Sequence, residues 1–230
     1  DAGQLMAVES EFRLQTRESS TWYDEFRAQE AELRSAPQRI ELQRADLLRE
    51  RYNQVISKLR IIQGKSCEAR SLSLVFDEVL PKDHAKSLYV WVQDGWQTDE
   101  KSVLADARAK GADNPTVFVF LPAQHKTDIA NALVALEAAK STLRRRGTPA
   151  TNEGQDAQRS METRQRNAEK ELSSLLDRLF AGVRVFQGGG QEMADGADLA
   201  DRVTRAAKAS IVRLYPDFDV ADHDKWDKVL

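Results

Sequence analysis

The sequence predicts an α/β fold with large helical content: a small, mostly parallel sheet flanked by helices, plus a long antiparallel helical hairpin. Three patterns carry that expectation. Thr116-Val-Phe-Val-Phe-Leu121 is a continuous apolar run, suited to a strand covered on both faces. A capped helix joins it to Ser87-Leu-Tyr-Val-Trp-Val92, giving a βαβ unit with parallel strands and a right-handed crossover. Two apolar seams flank Gly147-Thr-Pro-Ala-Thr-Asn-Glu-Gly154, so two helices should fold back on one another across that loop.

Composition agrees with a folded chain. Its 230 residues are 41% hydrophobic and 31% charged, with a net charge of −3, which excludes a disordered or strongly basic nucleic-acid module. No apolar run is long enough to span a bilayer and no signal peptide is visible. The single cysteine, Cys67, excludes an internal disulfide and fits a reducing cytoplasm; it reads as a small apolar residue near the start of a strand. The chain opens Asp-Ala-Gly and stops within an apparent helix at Trp226-Asp-Lys-Val-Leu230, so it reads as a piece of a longer polypeptide.

Along the chain, residues 1–66 read as a helical segment. Thr21 with Asp24 is a capping-box start, and Trp22, Phe26 and Leu33 follow at helical spacing. Ser35 with Gln38, helped by Pro37, marks a second start. The helix after it should run through Leu48, Tyr52, Val55, Leu59 and Ile62, a narrow seam that buries against another helix. Residues 67–126 and 183–215 read as one α/β core. Leu72, Leu74 and Phe76 alternate with smaller residues at strand period, and Asp94-Gly95 signals a turn. Thr98 should cap the next helix and Gly111 should close it.

Residues 127–182 read as the hairpin. Ile129, Leu133, Leu136 and Leu143 form one seam; Met161, Ala168, Leu172, Leu175 and Leu179 form the other. Val183-Arg-Val-Phe-Gln187 is a short strand, Gly188 to Gly190 turn the chain, and a last helix should run from about Asp198 to Tyr215, before Pro216. Residues 216–230 form a C-terminal extension.

Gln63-Gly-Lys-Ser66 followed by Val75-Phe-Asp-Glu78 imitates the two halves of a P-loop NTPase. The spacing fails. A phosphate-cradling loop needs a glycine five residues before the Gly-Lys, and Leu59 stands there. The gap between Lys65 and Val75 is also too short for a helix and a return to the sheet. Gly64 reads instead as a helix C-cap with Lys65 beside the negative end of the dipole.

Other candidates are single residues or small groups. Arg144, Arg145 and Arg146 sit where cations favour a helix C-terminus, and they are also the candidate nucleic-acid contact. Gly188 to Gly190 either turn a hairpin or approach a phosphate. His125 follows a strand end, where open α/β sheets place ligands. His84, His125 and His223 share no metal-ligand spacing. Asp77 and Glu78 end a strand and could pair as acid and base, while Trp91 and Trp96 flank the Asp94-Gly95 turn with Trp91 placed for a core. No catalytic, cofactor or metal residue is assigned.

Five stretches in order resemble a known family. They are Leu88-Tyr-Val-Trp-Val-Gln-Asp-Gly-Trp96, Glu100-Lys-Ser-Val-Leu-Ala-Asp-Ala-Arg-Ala-Lys-Gly111, Pro115-Thr-Val-Phe-Val-Phe-Leu-Pro122, Gly147-Thr-Pro-Ala-Thr-Asn-Glu-Gly-Gln-Asp-Ala157 and Val185-Phe-Gln-Gly-Gly-Gly-Gln-Glu192. Together they are similar to the middle region of the large P-loop, AAA+-like protein of BREX phage-defence systems, the BrxC/PglY type. The resemblance implies a bacterial, cytoplasmic ATPase that acts with a DNA methyltransferase and other components to block phage DNA replication. The family's phosphate-binding loop lies upstream of the matched region, so ATP and magnesium would belong to the parent protein. None of its nucleotide-binding residues carries over to this chain.

Two readings follow. One is a non-catalytic accessory or assembly region of that ATPase, docking other defence proteins or itself, with weak DNA contact. The other is a stand-alone cytoplasmic helical scaffold or nucleic-acid adaptor. A third class, an enzyme with its site at the ends of the buried strands, would require Asp77, Glu78 and His125 to gather in one pocket.

Overall fold

The computed structural model describes residues 5–8, 11–14, 17–65, 67–76, 79–81 and 88–222. The fold is α/β, with a four-stranded, mostly parallel sheet and a helical pair. The chain divides into two compact units, Asp1–Asp46 with His125–Leu176, and Leu47–Gln124 with Asp177–Leu230.

The first unit opens with an antiparallel hairpin of β1 (Leu5–Val8) and β2 (Glu11–Leu14), which helical reading of the opening third did not foresee. Helix α1 (Arg17–Ser35) buries Trp22, Phe26, Gln29 and Leu33, one stripe at helical spacing. It begins four residues before the expected cap. Thr21 lies inside it, its hydroxyl donating to the Arg17 carbonyl at 2.7 Å rather than capping the end. Ser35 likewise ends α1 instead of opening the next helix, and donates to the Glu32 carbonyl. Pro37 then occupies the first position of α2 (Pro37–Ile56), where its missing N–H costs nothing.

The helical pair is α4 (Lys126–Arg146) and α5 (Asn152–Ala181), α3 (Glu100–Lys110) lying earlier in the chain in the second unit. At 1.5 Å per residue α4 is about 30 Å long. Gly147 closes α4 at φ +63, and Thr151 caps α5 by accepting the Gly154 N–H at 3.1 Å. Ile129, Leu133 and Leu136 of one seam and Met161, Ala168, Leu172 and Leu175 of the other are buried. Ala132, Ala138 and Ala139 are buried too, and their small side chains let α1 lie close along α4. Polar bonds fix the register: Arg34 to Asn131 at 3.0 Å, and Ser141 to the buried Gln29 at 2.8 Å.

The second unit is built on the sheet β5 (Leu72–Val75), β6 (Leu88–Asp94), β7 (Val117–Leu121) and β8 (Arg184–Phe186), in that order. β5, β6 and β7 are parallel and β8 is antiparallel to β7. All five residues of β7 are buried, as expected for an interior strand with both faces covered. Trp91, Phe118, Phe120 and Phe186 share one face with Val103 and Ala107 of α3 (Glu100–Lys110). Residues of the opposite parity, Val90, Val92, Val117, Val119 and Val185, are as deeply buried, and α6 (Leu199–Leu214) lies against β6, β7 and β8. Asp99, not Thr98, caps α3, accepting the Ser102 N–H at 2.8 Å; Gly111 ends that helix at φ +83.

The helix expected to continue to Ile62 stops at Ile56. Ile61–Gln63 is strand β3, paired antiparallel with β4 (Glu68–Arg70), and Ile61 is buried while Ile62 is exposed. Period-two burial replaces the seam. After α6, Pro216 breaks the helix and a four-residue turn, α7 (Phe218–Ala221), ends the described chain with Asp222.

Candidate functional site

Gly64 and Lys65 form the turn of the β3–β4 hairpin, Gly64 at φ +69. This corrects the helix C-cap expected there: a strand, not a helix, enters the turn, because Ile61 is anchored in the core and Gln63 pairs with Glu68. A P-loop needs a helix N-terminus behind its lysine, and β4 follows here instead. The Lys65 N–H donates to the Asp222 carboxylate. Cys67 directly precedes β4, near the start of a strand as expected, and is exposed in the same turn at φ 55. Ser66, Asp77, Glu78, His84 and His223 lie outside the described residues.

The arginine cluster at the end of α4 divides. Arg145 is 3.4 Å from Glu25 and 3.9 Å from Glu32, and Arg146 donates to the Thr21 carbonyl at 2.8 Å. Those two therefore hold α1, a role their position at the helix end did not reveal. Arg144 is exposed. His125 opens α4 in a left-handed conformation, φ 56 and ψ 26, with Nδ1 3.7 Å from Asp128.

Gly188 to Gly190 turn the chain back against α3, with Phe186 bridging Glu192 antiparallel across them, which is the hairpin-turn alternative. A side chain at Gly188 would meet the Gly111 carbonyl at 2.7 Å, so close backbone packing explains the glycine. Trp91 packs at 5.7 Å from Phe118 in the core. At the carboxyl ends of β6 and β7, the Gly95 N–H donates to the Leu121 carbonyl at 2.8 Å, and the Trp96 N–H to Asp94 Oδ1 at 3.0 Å. Tyr52 is buried against Phe180, ring centroids 4.8 Å apart, and its hydroxyl makes no hydrogen bond to a described residue. Burial, then the charge of Asp94, pushes its pKa up.

A half-open cleft of about 750 Å³ lies in the second unit, between the ends of α2 and α5 and the start of α6. Its apolar lining includes Val55, Leu59, Phe180 and Leu199. Four charged residues of its lining make contacts within the fold: Arg51 pairs with Asp177 at 2.6 Å, Arg202 donates to the Val183 carbonyl at 2.6 Å, and Asp198 caps α6; Lys58 also lines it. The described lining residues include no Cys, His, Ser or Tyr. Among the described residues no group of His, Cys, Asp and Glu could hold a metal ion, and no helix is long and apolar enough to cross a membrane.

No family model, no curated protein and no solved structure matches the chain.

Proposed function

We propose that the chain is a non-catalytic accessory or assembly region of a large cytoplasmic ATPase in a BREX-type phage-defence system. The observation that carries the reading is the ordered run of five resembling stretches, from Leu88 to Glu192. The placement of Gly64 and Lys65 in a β-hairpin turn fits it, since nucleotide chemistry then belongs to a P-loop elsewhere in the parent protein. ATP and magnesium are accordingly cofactors of that parent, and the partners of this region are other defence proteins or a second copy of itself.

The test is co-purification. The tagged chain, expressed with the methyltransferase and phosphatase-like proteins encoded beside it, should retain at least one of them through size-exclusion chromatography. Elution of the chain alone, from a locus with no such neighbours, would overturn the defence reading in favour of a stand-alone scaffold.

A further inference from the structure

The Gly64–Lys65 turn is occupied. The Asp222 carboxylate accepts the Lys65 N–H, and the space a side chain would need at Gly64 is filled by Asp222 and the Phe218 ring. One strand over, the Arg70 guanidinium stacks on Tyr215 at 4.0 Å and on Phe218 at 4.9 Å. Its orientation is set from below: Nε donates to Oε1 of the buried Gln63 at 2.9 Å, and Glu68 Oε1 lies 4.0 Å from Nη1. Two recognition elements, an aromatic-gripping arginine and a carboxylate-accepting turn, thus stand on one short hairpin. Both are used by residues 215–222.

We propose that the β3–β4 hairpin is a docking site for a short acidic–aromatic peptide, and that residues 215–222 fill it in cis. The segment has the character of a separable ligand rather than of core. Pro216 breaks it from α6, and α7 is too short to be stable as an isolated helix. Asp217 and Val220 are exposed, Val220 at 72%. Tyr215, Phe218 and Asp222 are the groups of the segment that meet Arg70 and the turn. A partner presenting aromatic, aromatic and acidic side chains at the same spacing would compete for the same contacts. Charge-assisted bonding to the turn and stacking on a planar guanidinium define that chemistry.

The experiment uses the full chain and a fluorescein-labelled peptide with the sequence of residues 215–222. In wild type the cis segment blocks the site, so binding should be weak. The Phe218→Ala/Asp222→Asn double variant should bind roughly tenfold tighter, since apparent affinity scales with the open fraction. Adding Arg70→Ala should remove that gain. Equal affinity for wild type and double variant, a gain that survives Arg70→Ala, or competition by inorganic phosphate as effective as by unlabelled peptide would each overturn the proposal. Hydrogen exchange supplies a second readout. The Lys65 amide should exchange faster in the double variant while the β7 amides keep their protection; loss of protection in β7 would mark the segment as core and defeat the idea.

Discussion

Arg184 and Glu192 form a two-pronged ion pair across the glycine turn, Nε to Oε1 at 2.7 Å and Nη2 to Oε2, while the third guanidinium nitrogen reaches Glu100 in the first turn of α3. One side chain on β8 thereby ties the turn and the helix to the sheet edge. The Arg184 and Glu192 side chains are 39% and 35% exposed, so water screens the pair and its contribution is about 1 kcal/mol. Arg184→Met should lower the melting temperature by a few degrees, and Glu192→Gln by less. The bond from Arg184 holds the Glu192 carboxyl below its ordinary 4.5. With the folded pKa depressed, the stabilisation is complete above about pH 4.5 and is lost as pH falls through the folded value. Chemical denaturation of wild type and Glu192→Gln should therefore converge as the pH is lowered from 6 to 3; a constant gap would contradict the assignment.

Tyr52 offers the opposite case, a buried hydroxyl with no hydrogen bond to any of the described residues. Removing a buried polar atom that gains no hydrogen bond from the described residues relieves a desolvation cost, so Tyr52→Phe should be neutral or stabilising by up to about 1 kcal/mol. Tyr52→Ala, which strips the ring from Phe180 and Phe76, should cost about 3–5 kcal/mol. In an ultraviolet titration the phenol should stay neutral until the protein unfolds in alkali, because burial raises its pKa.

Much of the fold was legible because its signals are local. Asp198 capping α6, Gly111 and Gly147 closing helices, and the unbroken apolar run of β7 act within a few residues of where they stand. The failures occurred where two periods share the same residues. Leu48, Tyr52 and Val55 belong to a helix, but Ile62, which continues the same spacing, lies in a strand, and only the pairing of β3 with β4, Ile62 opposite Ala69, decides between them. Thr21 and Ser35 look like caps whether they start a helix or lie within one. Site chemistry was less visible still. Arg145 and Arg146 carry no mark of Glu25 or Thr21, which lie far along the chain, and nothing about Arg70 announces Tyr215 and Phe218.

Gly95 is constrained by space rather than by dihedral angle. A side chain there would stand 2.6 Å from the Leu121 carbonyl and 2.8 Å from the Ala123 nitrogen, both backbone atoms that cannot swing away. Gly95→Ala should therefore separate the carboxyl ends of β6 and β7 and cost about 1–3 kcal/mol. Gly111→Ala has open space around it and should suffer only from its positive φ. Paired urea denaturation curves separate the two, with the larger midpoint shift expected at Gly95.

The arginines at the end of α4 should respond unequally. Arg146→Ala removes a bond to a backbone carbonyl and should cost about 1 kcal/mol; Arg145→Ala, an exposed pair, about 0.5 kcal/mol; Arg144→Ala should leave stability unchanged. With a net charge of −3, any DNA binding should be weak, nonspecific and steeply salt-dependent. Fluorescence anisotropy at low and moderate salt would show it, Arg144→Ala lowering affinity about two- to threefold for all sequences alike. Sequence-specific binding that survives moderate salt would refute this picture.

The chain by itself should neither bind nor hydrolyse ATP, despite Gly64-Lys65-Ser66. A P-loop lysine acts on phosphates already gathered by consecutive backbone amides at the head of a helix. Here the turn joins two antiparallel strands, the Lys65 amide is bonded to the Asp222 carboxylate, and Phe218 lies over Gly64. A triphosphate approaching the turn would meet that carboxylate, and charge repulsion adds to the wrong geometry. Isothermal titration with magnesium and ATP, on wild type, Lys65→Ala and Asp222→Asn, separates the two obstacles. No heat of binding is expected from any of the three. Micromolar binding that appears only in Asp222→Asn would show the carboxylate to be the sole barrier. Binding in wild type that Lys65→Ala abolishes would make the turn a nucleotide site and the chain a candidate enzyme.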